Sequence, residues 1–132
     1  MIRNNIVKVL LDQAASLAAL NSSRYIGISA VDHIYEFQHV GLILPRQSGK
    51  STAANYIEQN YSATVVRKVL DLDRLVFLSR GASSRGLKYQ FIVLDDLSPE
   101  YKSQVPIVLH HLLIAKQLAD NFCLITLETP QP

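Results

Sequence analysis

Three short uncharged runs constrain this chain more than anything else in it: Val40-Gly-Leu-Ile-Leu44, Phe91-Ile-Val-Leu94 and Phe122-Cys-Leu-Ile-Thr-Leu127. Each is too short for a buried helix and lacks the polar alternation of a strand with one wet face. Such runs suit strands covered on both sides, which is the habit of parallel sheets. The segments between them have helical character. Residues 4–20 place Ile6, Leu10, Ala14, Leu17 and Leu20 on one broad face, and residues 50–60 also look helical. Residues 105–120 read as a helix with Pro106 in its first turn, where a missing N–H costs least. Residues 63–70 read as a further strand, and 71–89 as the least regular stretch, with a short strand conceivable at Leu75–Leu78. Residues 24–39 are ambiguous between alternation at Ile26, Ile28 and Ala30 and a helical turn over 31–38. The expected fold class is α/β: a parallel sheet of about four to five strands flanked by helices, with an N-terminal helix.

At 132 residues the chain is expected to form one domain, with 1–39 as N-terminal helix and lead-in and 40–130 as the core. A net charge of +2 excludes a histone-like polycation while permitting a local basic patch. A single cysteine, Cys123, excludes an intramolecular disulfide framework and a multi-cysteine zinc site. No apolar run reaches the ~18–20 residues of a membrane span, and the first residues lack a signal-peptide core. The expected setting is cytoplasmic, away from membranes.

Ligands of open parallel sheets bind beyond the carboxyl ends of the strands, and the chemically loaded residues fall there. Leu44-Pro-Arg-Gln-Ser-Gly-Lys-Ser-Thr52 follows one apolar run and opens a helix. Its Gly-Lys-Ser matches the second half of a phosphate-binding loop (P-loop) in the required strand–loop–helix context, although Leu44 stands where the first glycine is expected. Backbone N–H groups of Ser48 to Ser51 would converge on a phosphate at the helix N-terminus. Gly49 would let the backbone approach, Lys50 would place a point charge on the β- and γ-phosphates, and the Ser51 hydroxyl would ligate Mg²⁺. Pro45, Gln47 and Thr52 complete the segment. Some 45 residues on, Phe91 to Leu94 end in Asp95-Asp96. Asp95 would hold the Mg²⁺ shell through water, and Asp96 would orient or deprotonate the attacking water, with Glu100 as a possible substitute. Capping of the following segment is the alternative role for these acids.

Pro45-Arg-Gln-Ser-Gly-Lys-Ser-Thr52 resembles the variant phosphate loop of phage terminase large subunits, the ATPases that drive DNA into capsids. Arg85-Gly86 is similar to the Arg-Gly placed just before their acidic strand. Ile125-Thr-Leu-Glu-Thr-Pro130 resembles their coupling motif. The resemblance spans roughly 38–130. It implies ATP and Mg²⁺ as ligands, Arg46 contacting the γ-phosphate, Lys50 and Ser51 on phosphate and metal, and Asp95 and Asp96 in the roles above. It implies Thr129, with Thr126, as the sensor that couples hydrolysis to movement, and Gln38 as a candidate adenine reader. It also implies a sheet order 2-3-4-1, with the first strand at an edge covered by Tyr25–Ala30 or by another subunit. Such terminases carry a C-terminal nuclease, so the expectation here is a minimal ATPase core working with double-stranded DNA, a second copy or a phage assembly partner in the host cytoplasm. Asp96 where that family has Glu leaves open a weak or inactive nucleotide-binding module. A P-loop ATPase of DNA replication or recombination is the third alternative.

Six of the thirteen basic residues lie between 67 and 88: Arg67, Lys68, Arg74, Arg80, Arg85 and Lys88. They form a DNA-facing stripe, or supply a trans-acting arginine finger with Arg80 and Arg85 as candidates, or make an ordinary solvated face. Adjacent His110 and His111 lie about 100° apart on a helix and do not easily share a metal. His33 and His39 have no Cys or acidic residue at ligand spacing, and all four read as structural or surface residues. Cys123 reads as a core residue, and the apolar helix after Pro106 as buried on two sides or part of an oligomer surface.

Overall fold

The computed structural model describes residues 2–20, 29–46, 48–79 and 88–130. Its order is α1 (Ile2–Leu20), α2 (Ala30–Phe37), β1 (His39–Ile43), α3 (Lys50–Asn60), β2 (Ala63–Val66), α4 (Val69–Ser79), β3 (Tyr89–Asp95), a 3₁₀ segment (Pro99–Gln104), α5 (Val105–Ile114) and β4 (Leu118–Glu128). The four strands form one sheet in the order β1-β4-β3-β2, with every neighbouring pair parallel. This is the expected order, and it leaves β1 at an edge. Of Tyr25–Ala30, the segment expected to cover that edge, residues 25–28 lie outside the described residues and Ala30 begins α2.

The uninterrupted apolar runs are explained by two cores. Successive residues of a strand face opposite sides. In β3 and β4 both sides are covered, whereas in the edge strand β1 Val40 is buried and Ile43 stands 68% exposed. Phe91, Val93, Ile125 and Leu127 pack with Ile6, Leu10 and Ala14 of α1 and Ala53, Ala54 and Ile57 of α3. Ile92, Leu94, Phe122 and Leu124 pack with Ile34 of α2, Leu72 and Leu75 of α4, and Val105, Val108, Leu109 and Leu112 of α5. The N-terminal helix is therefore an integral part of one face of the sheet. On α5 the expectation of two buried sides fails, because Ile107 and Ile114 stand 58% and 67% exposed.

Two element boundaries correct the sequence reading. The strand expected over 63–70 stops at Val66, and the irregular stretch that follows contains α4, so no strand forms at Leu75–Leu78. Asp71 decides this locally: its Oδ2 accepts from the backbone N–H of Arg67 at 2.9 Å and of Lys68 at 3.3 Å. A first-turn carboxylate that reaches back to the N–H groups of the residues just before the helix, as in a capping box, fixes where the helix starts, and Leu72 and Leu75 then fall on its buried face. The helix expected to reach residue 120 ends at Ile114. Gln117 N–H donates to Leu112 O (2.9 Å) and Lys116 N–H to Leu113 O (3.1 Å), with Lys116 at φ 58°. That is a Schellman closure made with lysine where glycine is usual, so it left no signal. β4 consequently begins at Leu118, but Tyr89 pairs with Leu118 and Phe91 with Cys123, so the regular ladder starts near the expected strand 122–127.

Cys123 is 2% exposed, and burial pushes its thiol up to about 11. Because the thiolate is the reactive form, iodoacetamide at pH 8 is expected to leave native protein unlabelled and to label it fully in denaturant, as read by intact mass.

Candidate functional site

Three strand ends meet at one point. Leu44 N–H donates to Glu128 O and Asp96 N–H to Leu127 O, both at 2.8 Å, which ties the exits of β1 and β3 to that of β4. Above this seam lies a cleft of about 430 Å³ lined by Arg46, Gly49, Lys50, Ser51, Thr52, Asp96 and Thr129. Six of these seven were singled out from the segment 45–52 and the acidic strand, and the seventh, Thr129, from the strand that follows. The parallel sheet brings them together although they span more than eighty residues of chain.

Gly49 turns the chain from loop into α3 at φ 95°. This is the left-handed region, where a Cβ is strained. Among the described residues no side chain caps α3, so within that set the N–H groups of its first turn face the cleft end without a side-chain acceptor. Lys50 is only 6% exposed. Its Nζ donates to Leu44 O (3.0 Å) and Pro45 O (3.1 Å) and lies 3.7 Å from Asp96 Oδ2. The ammonium is thus folded onto its own loop, between the loop carbonyls and an acid. Pro45 takes part through its carbonyl and does not line the cleft.

Ser51 Oγ donates to Asp95 Oδ2 at 2.9 Å, and Asp95 is 4% exposed. A hydroxyl has one hydrogen and two lone pairs; with the hydrogen on Asp95, the lone pairs are left for a cation. Two buried oxygens, Ser48 Oγ and Asp95 Oδ1, have no hydrogen-bond partner among the described residues. Asp96 sits at φ 52° and accepts from Thr129 Oγ1 on both carboxylate oxygens, at 2.9 and 3.0 Å. Among the described residues no group of three or more His, Cys, Asp or Glu could hold a metal by itself. A hard hydroxyl and one carboxylate, completed by water and phosphate, are a donor set that suits Mg²⁺.

Other expectations are corrected. Thr126 is not at the cleft: its Oγ1 meets His39 Nε2 at 2.8 Å, beside a cavity of about 190 Å³ walled by Tyr35, Leu94 and Val105. Thr126 lies within β4, between Ile125 and Leu127, which face α1 and α3, and so points to the opposite face, whereas Thr129 lies past the strand's end at Glu128. Gln38 lies before β1, at the far end of the strand from the loop; its amide donates to Phe122 O and its Oε1 meets His33 Nδ1, both at 2.9 Å. Glu100 is on the exposed 3₁₀ segment, accepts from Ser98 Oγ (3.1 Å) and does not line the cleft. Arg67 is exposed like its neighbours, its side chain 40% so, but it also makes bonds at the cleft end: its Nε donates to Asp95 Oδ2 at 2.9 Å and its Nη2 to Asn55 Oδ1 at 2.8 Å. Lys68, Arg74 and Lys88 are exposed. Gln47, Arg80, Arg85 and Gly86 lie outside the described residues.

The Arg67–Asp95 contact was missed from sequence because it depends on register. Val66 pairs with Leu94, so residue 67 comes level with residue 95, and only the pairing reveals it. No family model matches the chain, and neither does any curated protein or solved structure. Among the described residues no helix is long and apolar enough to cross a membrane.

Proposed function

We propose that the cleft binds ATP with Mg²⁺ and hydrolyses it, in the manner of a minimal terminase-like P-loop ATPase. The observation that carries the proposal is the convergence of Gly49, Lys50 and Ser51 at the start of α3 with Asp95 and Asp96 at the end of β3. Separately each is a common feature; together they supply N–H donors, a buried cation, a hydroxyl and two acids around one space. Lys50, released from Leu44 O and Pro45 O, would pair with phosphate oxygens. Arg46 would add a second positive charge from the loop, next to the γ-phosphate. Ser51 and Asp95 would hold the metal, which neutralises phosphate charge when bound. Asp96 would accept a proton from the attacking water, and Thr129 fixes its carboxylate for that task. Coupling of this cycle to double-stranded DNA and to a phage assembly partner rests on the sequence resemblance, with Lys68, Arg74 and Lys88 as the described residues able to meet phosphates.

One observation favours a second reading, a nucleotide-binding module with little turnover. Thr129 Oγ1 shares its one hydrogen between both Asp96 oxygens, and the aspartate is a methylene shorter than the glutamate of the family it resembles. Phosphate release by the intact chain with MgATP, with and without double-stranded DNA, separates these readings. Release that DNA accelerates supports the packaging-type ATPase. ATP binding with no release supports the module, and no binding at millimolar nucleotide overturns both.

A further inference from the structure

We infer that Arg67, which belongs to neither the loop nor the acidic strand, is the positioning residue that sets Asp95 for the metal. The inference rests on the MgATP reading above and deepens it. Arg67 follows β2 directly and is anchored three ways. Its backbone N–H is held by Asp71 Oδ2 at the start of α4, its Nη2 by Asn55 Oδ1 on α3, and its Nε by Asp95 Oδ2 at the end of β3. A guanidinium is planar and rigid, so fixing two of its nitrogens fixes the direction of both bonds.

The consequence lies on the carboxylate. Asp95 Oδ2 receives two donors, Arg67 Nε and Ser51 Oγ, each at 2.9 Å. Asp95 Oδ1 is buried and receives none among the described residues. Held on Oδ2 from two sides, the group cannot exchange its oxygens by rotating. An unpartnered buried carboxylate oxygen is costly unless something donates to it, and a water of a metal shell is such a donor. Arg67 thus keeps Oδ1 vacant and directed, while Ser51, its hydrogen spent on Oδ2, keeps its lone pairs for the same cation. Partners of metal-binding groups are typically worth about 10- to 100-fold in metal affinity.

The test is a binding titration with a non-hydrolysable ATP analogue, run once with MgCl₂ and once with EDTA, on wild type, Arg67→Gln and Asn55→Ala. The quantity read is the ratio of the two affinities. In Arg67→Gln the tightening by Mg²⁺ is expected to shrink about 10-fold while binding in EDTA stays as in wild type. Asn55→Ala, which leaves Asp95 untouched and removes only the brace on the guanidinium, is expected to shift the ratio the same way by less, and it serves if Arg67→Gln does not fold. Arg67→Lys keeps the charge but not the fork, and is expected to restore the ratio only in part. An unchanged ratio overturns the inference, as does a larger one, which would make Arg67 a cation that competes with the metal. Equal loss of affinity in MgCl₂ and in EDTA also overturns it, since that marks a purely structural role. If wild type binds no analogue under either condition, the MgATP reading itself falls; if wild type binds and only the variants behave as wild type, the Arg67 assignment alone falls.

Discussion

Lys50→Ala is expected to weaken ATP binding about 10- to 100-fold and to remove measurable phosphate release. Hydrogen bonds to a charged group carry about 1.5–3 kcal/mol, and 1.4 kcal/mol is a factor of ten in affinity. The environment of Lys50 makes the effect large. It is 6% exposed and has Leu44 O, Pro45 O and Asp96 around it. An ammonium buried against two carbonyls is already stripped of most of its water, so little further desolvation opposes its transfer to a phosphate. Truncation has a second effect, because both loop carbonyls lose their donor and the buried stem leaves a gap. Lys50→Met separates the two, since it keeps the stem and removes only the charge. Both variants are expected to lose binding in a nucleotide titration, and thermal melting should show Lys50→Ala to be the less stable. If both bind and turn over ATP like wild type, the cleft is not the nucleotide site.

The two central strands were readable because burial on both faces leaves a plain mark, the uncharged runs Phe91–Leu94 and Phe122–Leu127. The run Val40–Leu44 marks a strand too, but at the edge of the sheet, where Ile43 is exposed. The helix over 50–60 was readable too, since Gly49 marks the turn into it. What was not readable depended on contacts between distant residues or on an unusual backbone choice. The helix at Val69–Ser79 was hidden behind the β-branched run Val65-Val66, and Asp71, which redirects the chain, looks like any surface acid. The end of α5 was hidden because Lys116 adopts a left-handed φ that sequence assigns to glycine. At the cleft, the motif residues were legible one by one from their chemistry, yet their neighbours were not. Arg67 read as one more charge in a basic stretch, and its side chain proves to be committed to Asp95 and Asn55. Thr126 read as a companion to Thr129, but Thr126 lies inside β4 and meets His39, while Thr129 follows the end of that strand at Glu128 and meets Asp96.

The second large effect is expected at Asp96, where binding and chemistry should come apart. Asp96→Asn is expected to leave ATP affinity at or slightly above that of wild type while phosphate release falls about 10²- to 10⁴-fold, the usual range for losing a general base. The substitution is a mild one for the fold. Asp96 sits at φ 52°, and asparagine enters the left-handed region as readily as aspartate; its amide oxygen can still accept from Thr129 Oγ1. What it cannot do is take a proton. Affinity is not expected to fall, because the lost negative charge lies 3.7 Å from Lys50 Nζ, where it competes with an incoming phosphate for the same ammonium. Single-turnover phosphate release alongside a nucleotide titration reads both quantities from one preparation. Equal release by Asp96→Asn and wild type would remove Asp96 from the chemistry. Glu100 would then need testing as Glu100→Gln, although it stands on the exposed 3₁₀ segment and outside the cleft lining, so reaching the attacking water would require that segment to move.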